Sequence, residues 1–213
     1  MQRSALAPIL AATLALTLGA CGKNEDAGAG DQASEKPPAP SATPPDSSTL
    51  AAAEWSDARA DFVSPSGEKM GAVEFHDGVG GVLIRVDIDG LTPGWHGIHL
   101  HMIGSCADGA DGFKASGGHI NPDGLDHGLL NPNGAHRADI PNLHADDTGR
   151  ARGEFFRTGV FLRPSEIGAA INGPYPLIDD DGFAVIIHES PDDHVTQPIG
   201  GAGARVACAA VVN

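Results

Sequence analysis

Short apolar runs of period two recur from residue 58 to the end of the chain, each ended by glycine or proline. Such runs suit half-buried strands and leave little room for helices. Val82, Ile84, Val86 and Ile88 alternate with Leu83, Arg85, Asp87 and Asp89. Gly90-Leu91-Thr92-Pro93-Gly94 stops that run, and Trp95–His101 begins the next. Further strands are predicted over Ala58–Ser64, Met70–His76, Leu143–Asp146, Arg150–Phe156, Phe183–His188 and Arg205–Val211. With 29 Gly, 16 Pro, 5% aromatic residues and no long helical stretch, eight short strands imply an all-β antiparallel sandwich or barrel.

One segment does not fit this rhythm. Met102–Asn142 is rich in Gly, Asn, Pro, Asp and His and has no sustained apolar periodicity. A loop of that length inside a folded domain has to be held by function or by a cross-link. The 13 Lys and Arg face 28 Asp and Glu, a formal charge of −15, which excludes nucleic acid and anionic lipid as partners bound by charge.

The N-terminus reads as an export signal. Residues 1–20 carry Arg3, then an apolar run from Ala5 to Leu18, too short to span a bilayer comfortably. The run ends in Leu18-Gly19-Ala20-Cys21, which resembles a bacterial lipobox, where the signal is cut before the cysteine and the cysteine is acylated. Gly22 rather than Asp at the next position implies, by the same resemblance, delivery to the outer membrane. The expectation is a periplasmic protein of the cell envelope whose contact with membrane is a lipid anchor on Cys21. A plain leader with an incidental cysteine is the alternative. Gly22–Thr49 lacks Val, Ile, Leu, Met and aromatic residues and carries five prolines, so residues 21–49 are expected to form a disordered tether. The folded domain is then 50–213.

Once lipidation takes Cys21, Cys106 and Cys208 remain as an even pair in an exported chain. An oxidising compartment favours a disulfide between them. The alternative is that both are small buried apolar residues.

The ten histidines supply the chemistry. His99 and His101, two apart on a predicted strand, project from the same face. His119, His127, His136 and Asp139 lie in the long loop, and His188 closes an apolar strand. All-imidazole sets suit copper, and three imidazoles with a carboxylate suit a closed tetrahedral zinc site. Six His and one Asp fill two four-coordinate sites only if one ring bridges them; the count permits a bridge without proving one.

The run Gly90–His101 resembles the first signature of bacterial copper/zinc superoxide dismutases. Gly117-Gly118-His119-Ile120-Asn121-Pro122, Asn133-Gly134-Ala135-His136-Arg137-Ala138-Asp139, Ile187-His188-Glu189-Ser190-Pro191-Asp192-Asp193 and Gly203-Ala204-Arg205-Val206-Ala207-Cys208 are similar to the family's other motifs, in the same order. The resemblance implies an eight-stranded Greek-key, immunoglobulin-like sandwich or barrel with a long metal-binding loop. It implies one copper held by His99, His101, His119 and His188, and one zinc held by His119, His127, His136 and Asp139, with His119 as the bridge. Asp192 would orient His99 and His127, Cys106 and Cys208 would form the family disulfide, and Arg205 would attract and contact superoxide. His119 and Arg205 would be the catalytic residues of a ping-pong dismutation giving oxygen and hydrogen peroxide, protecting the envelope. Monomers and homodimers both occur with this fold. The alternatives are a copper carrier without turnover, which would be expected to lack a copper ligand, the zinc set or the arginine, and a purely structural envelope lipoprotein, which leaves the seven-ligand set unexplained. The family pattern is broken at Ile98, Ala138, Ile140 and Ala209. If glycine at 138 serves a positive φ, alanine there disturbs the zinc loop. His96 reads as structural; His76, His144 and His194 read as exposed or unassigned.

Overall fold

Each of the eight period-two runs forms a strand in the computed structural model, which describes residues 57–163 and 175–213. The leader, Cys21 and the tether lie outside the described residues. The strands are β1 (Ala58–Val63), β2 (Lys69–Gly78), β3 (Gly81–Ile88), β4 (Gly94–His96), β5 (Ile98–His101), β6 (Leu143–Ala145), β7 (Ala151–Thr158), β8 (Val160–Phe161), β9 (Tyr175–Pro176), β10 (Phe183–His188) and β11 (Arg205–Val211). The run Trp95–His101 is divided at Gly97 into β4 and β5, and the short parallel pair β8–β9 has no counterpart in the sequence pattern.

The alternation in β3 has the expected cause. Val82, Ile84, Val86 and Ile88 are buried in the core, whereas Arg85 and Asp87 face outward and pair with Glu154 and with Arg150 and Arg152. These exposed ion pairs contribute at most about 1 kcal/mol each; burial of the aliphatic face dominates.

The strand order is β4-β6-β7-β3-β2-β1-β11-β10-β5, with antiparallel neighbours. The two ends of that order, β4 and β5, are consecutive in the chain, so the sheet curls round into a nearly closed barrel. The step from β3 to β4 passes over β7 and β6, the crossover of a Greek key. Phe62, Phe75, Ile84, Ile88, Leu100 and Phe183 fill the interior, with Phe75 and Phe183 edge to face at 5.1 Å.

A second, smaller cluster lies outside the barrel wall. Phe113, Ala184, Ile186 and Cys208 are buried together, with Val63 and Cys106 packed against them. Cys106 and Cys208 form a disulfide with a Cα–Cα distance of 5.8 Å. It ties the start of the long loop to β11 across a separation of 102 residues. Closing a loop of that size removes about 4–5 kcal/mol of denatured-state entropy in the chain-entropy model. Cys208→Ser is therefore expected to lower unfolding free energy by a few kcal/mol in denaturant titrations; an unchanged midpoint would contradict that role.

The rest of the loop is laid along β5. Ile120 N–H donates to Leu100 O at 3.1 Å, and Leu100 N–H donates to Ala138 O at 3.2 Å. Residues 120 and 138 thus serve β5 as makeshift strand partners. Among the described residues the non-glycine positions with positive φ are Phe113 and His194, so Ala138 sits without strain; it is fully buried in the core. Ala209 is likewise buried, on β11 opposite Val185.

Candidate metal centre

Strand geometry decides where the histidines point. On β5, Ile98 and Leu100 enter the core and His99 and His101 leave by the other face, beneath the long loop. On the neighbouring β10, the register shifts between Ile187 and His188, and His188 pairs with Arg205 of β11. Such an irregularity re-aims a side chain at a sheet edge. His119 completes the group: its ring lies 4.2 Å from that of His99 and 5.1 Å from that of His101.

Each ring has one nitrogen committed and one bare. His99 Nε2–H donates to Asp192 Oδ2 at 2.9 Å, His101 Nδ1–H to Gly117 O at 2.9 Å, and His188 Nδ1–H to Gly203 O at 3.0 Å. Only a protonated nitrogen can donate to those oxygens, which fixes the tautomer of each neutral ring. The opposite atoms, His99 Nδ1, His101 Nε2 and His188 Nε2, are buried without a hydrogen-bond partner, and so is His119 Nε2. Orphaned buried acceptors are costly, and bare imidazole nitrogens on neighbouring rings are suited to hold a metal. The donor atoms of His101, His119 and His188 lie within 4.8 Å of one another.

A second set meets the other side of His119. His136 Nε2–H donates to Leu125 O at 3.0 Å and His127 Nε2–H to Asp192 Oδ1 at 3.1 Å, which turns both Nδ1 atoms toward Asp139. Asp139 gives Oδ2 to the backbone N–H groups of Gly128 and His136, both at 2.9 Å, leaving Oδ1 for the cluster. From Asp139 Oδ1 the Nδ1 atoms of His127, His119 and His136 are 2.9, 3.4 and 3.7 Å away, and His119 Nδ1 is 3.1 Å from His136 Nδ1. A tetrahedral zinc with bonds of 2.0–2.1 Å has ligand–ligand edges of about 3.3 Å. The donor set therefore fits that ion in size as well as chemistry. His99 also has a donor atom within 4.8 Å of those of His119, His127 and Asp139; with its Nε2 held by Asp192, Nδ1 is the atom it has left for a ligand role.

Asp192 links the two sets. Its Oδ1 also accepts from the backbone N–H of His194 at 2.6 Å, and Asn142 bonds both its N–H and its carbonyl, at 2.9 and 2.8 Å. Gly200, at φ 61, packs so closely that a Cβ would collide with the Asp192 carboxylate.

Arg205 is held at the rim. Its Nη1 donates to Phe113 O at 2.7 Å and Ser116 Oγ at 3.0 Å, and its Nη2 to Gly117 O at 3.0 Å. Phe113 adopts φ 53, which buries its ring beside the disulfide while its carbonyl meets the guanidinium. Ser116, fully buried, donates to Phe113 O at 2.8 Å and lies 3.3 Å from His101 Nδ1. Ser116, Asn142 and Gln197 escape a reading of the sequence, because polar residues in a Gly-rich loop give no sign of the backbone groups they will meet. Of the remaining histidines, His96 is buried with both ring nitrogens 2.7 Å from carbonyl oxygens, those of His188 and Thr92. His76 and His144 are exposed; His194 is only partly so, being packed against Asp192 and Asn142.

Burial sets the protonation of the first set. It pushes His188 down to about 4 and His99 down to about 3, in the latter case against the hydrogen bond to Asp192. His101 is driven well below its ordinary value by burial and then by the neighbouring His119 and Arg205. His127 moves the other way: burial lowers it, but hydrogen bonds to Asp139 and Asp192 prevail and carry it up to about 9. A ring depressed in the folded state takes up protons more readily when unfolded, so stability falls as pH drops. For His188 the shift from 6.5 to about 4 corresponds to about 3 kcal/mol. Urea titrations of the metal-free protein are expected to show stability falling steadily between pH 6.5 and 4; a flat profile would contradict buried neutral rings. His127 contributes below pH 6.5 and loses its contribution as pH rises through about 9.

Residues 69–211 match a family model described as copper/zinc superoxide dismutase. The chain is 43% identical over 146 residues to the copper–zinc superoxide dismutase of Caulobacter vibrioides, covering 68% of this chain and 79% of that one. It is 39% identical over 153 residues to copper–zinc superoxide dismutase 1 of Aquifex aeolicus, covering 71% and 85%. Among solved structures, a mutant of the SOD-like protein from Bacillus subtilis superposes with a TM-score of 0.66 at 32% identity, covering 73% of this chain and 97% of that one.

Proposed function

Because the chain belongs to the copper/zinc superoxide dismutase family, we propose that its two ligand sets divide the work of superoxide dismutation between them. His99, His101, His119 and His188 hold copper, and His119, His127, His136 and Asp139 hold zinc. The observation that carries this reading is the four buried, partnerless ring nitrogens on histidines whose rings pack against one another, with Arg205 paired to His188 across the sheet. Copper, when bound there, supplies the one-electron exchange: one superoxide gives up an electron as oxygen, and a second accepts it and leaves with two protons as hydrogen peroxide.

The protein's own groups do the rest. Arg205 spends three of its five N–H donors on Phe113, Ser116 and Gly117 and keeps its charge beside His188. Superoxide is an anion, and a chain of formal charge −15 repels it at long range. A fixed guanidinium at the rim reverses the local field and offers a hydrogen bond. His119 presents Nε2 to one set and Nδ1 to the other, so a proton taken up at Nε2 can be passed to departing peroxide while Nδ1 keeps the ring in place. Asp192 holds His99 and His127 in orientation from one carboxylate.

The lipobox-like Cys21 and the leader before it support a lipid anchor in the cell envelope, where dismutation would protect the envelope from superoxide. Metal analysis with a superoxide assay tests the reading. One copper and one zinc per chain with rapid dismutation are expected; copper without turnover would favour a carrier.

A further inference from the structure

We propose that Gln197 is a positioning residue for the zinc site, clamping the backbone of His127 and so locking the zinc loop to the loop that carries Asp192. This rests on the reading of His127 as a zinc ligand. Gln197 Oε1 accepts from the His127 N–H at 2.9 Å, and Gln197 Nε2 donates to the His127 carbonyl at 2.8 Å and to the Val195 carbonyl at 3.0 Å. One side-chain amide thus takes both backbone groups of a single residue, as a neighbouring strand would, across 70 positions of sequence. The His127 ring is fixed at Nε2 by Asp192, and Asp192 is fixed in turn by Asn142. The clamp adds a hold on the backbone that the ring hydrogen bond lacks: with ring and backbone both tied to residues 192–197, Nδ1 has one direction to point.

The two loops are in close contact here. The N–H of Leu130 donates to the carbonyl of His194 at 3.1 Å, and at Gly128, with φ 115, a Cβ would collide with that same carbonyl. A side chain at position 128 would meet the backbone of His194 and Val195. Gln197 itself is exposed at the surface, so water competes for its bonds and its contribution belongs at the low end of what partners behind metal ligands supply.

The test uses the fully metallated protein and transfer of zinc to a competing chelator. Gln197→Ala is expected to raise the zinc dissociation constant about tenfold. Gln197→Glu keeps the shape and the acceptor for His127 N–H but turns an oxygen on two carbonyls; it is expected to lose at least as much. Cobalt(II) placed in the zinc site should show a shifted visible spectrum in both variants, a change that loop stability alone would not produce. A change of less than twofold, a glutamate variant that behaves like the native protein, or an unaltered cobalt spectrum would each overturn the clamp. His127→Ala separates this from the ligand assignment: if that variant keeps native zinc affinity, the assignment fails whatever Gln197 does.

Discussion

Replacing His119 by alanine is expected to abolish dismutation and to weaken both metals at once. Among the described residues this is the ring whose two nitrogens face different ligand sets, Nε2 among the partnerless atoms and Nδ1 between His136 and Asp139. Removing a partner that stands behind a metal ligand typically costs 10–100-fold in affinity. Deleting a ligand shared by two ions should exceed about 100-fold at each. His136→Ala is the informative contrast, since that ring serves only the second set, with Nε2 occupied by Leu125 O. It should weaken zinc and leave copper content near native. Equal copper loss in the two variants, measured by metal analysis after dialysis against a chelator, would contradict the shared-ring account.

Arg205→Ala is expected to lower kcat/KM by about 10–100-fold with both metals retained. A hydrogen bond to a charged group is typically worth about 1.5–3 kcal/mol, and each 1.36 kcal/mol is tenfold in rate. The guanidinium bonds Phe113, Ser116 and Gly117 but no ligand side chain, so the ligand sets should survive its removal. Loss of a fixed positive charge should also flatten the dependence of rate on salt. Native kinetics with an unchanged salt response would remove Arg205 from the substrate path.

The barrel was legible because its strands bury one face. A run such as Val82–Ile88 has to place every second residue in the core, and a slip of one position would expose all four aliphatics. The break at Gly97 and the two-residue strands β8 and β9 are too short for any periodicity to register. The candidate ligands stood out by type and by motif order, and the nearness of His99, His101 and His188 follows from β5 and β10 being hydrogen-bonded neighbours. Apart from Asp192, which the motif order pointed to and which bonds His99 and His127, what holds them was not legible. Ser116, Asn142 and Gln197 act on backbone carbonyls and amides, whose directions exist only once the loop has folded. The left-handed turn at Phe113, which brings a carbonyl to Arg205, likewise leaves no mark on a phenylalanine in a Gly-rich stretch.

The central claim is that the imidazole at position 119 joins the two ligand sets. Electron paramagnetic resonance of the oxidised copper protein, recorded before and after selective removal of zinc, tests it most directly. Taking the ion from the Nδ1 side frees that nitrogen to protonate and alters the donor strength of Nε2. The copper hyperfine pattern is expected to change on zinc removal and to return when zinc is restored. Superimposable spectra with and without zinc would mean that the ring does not connect the sites.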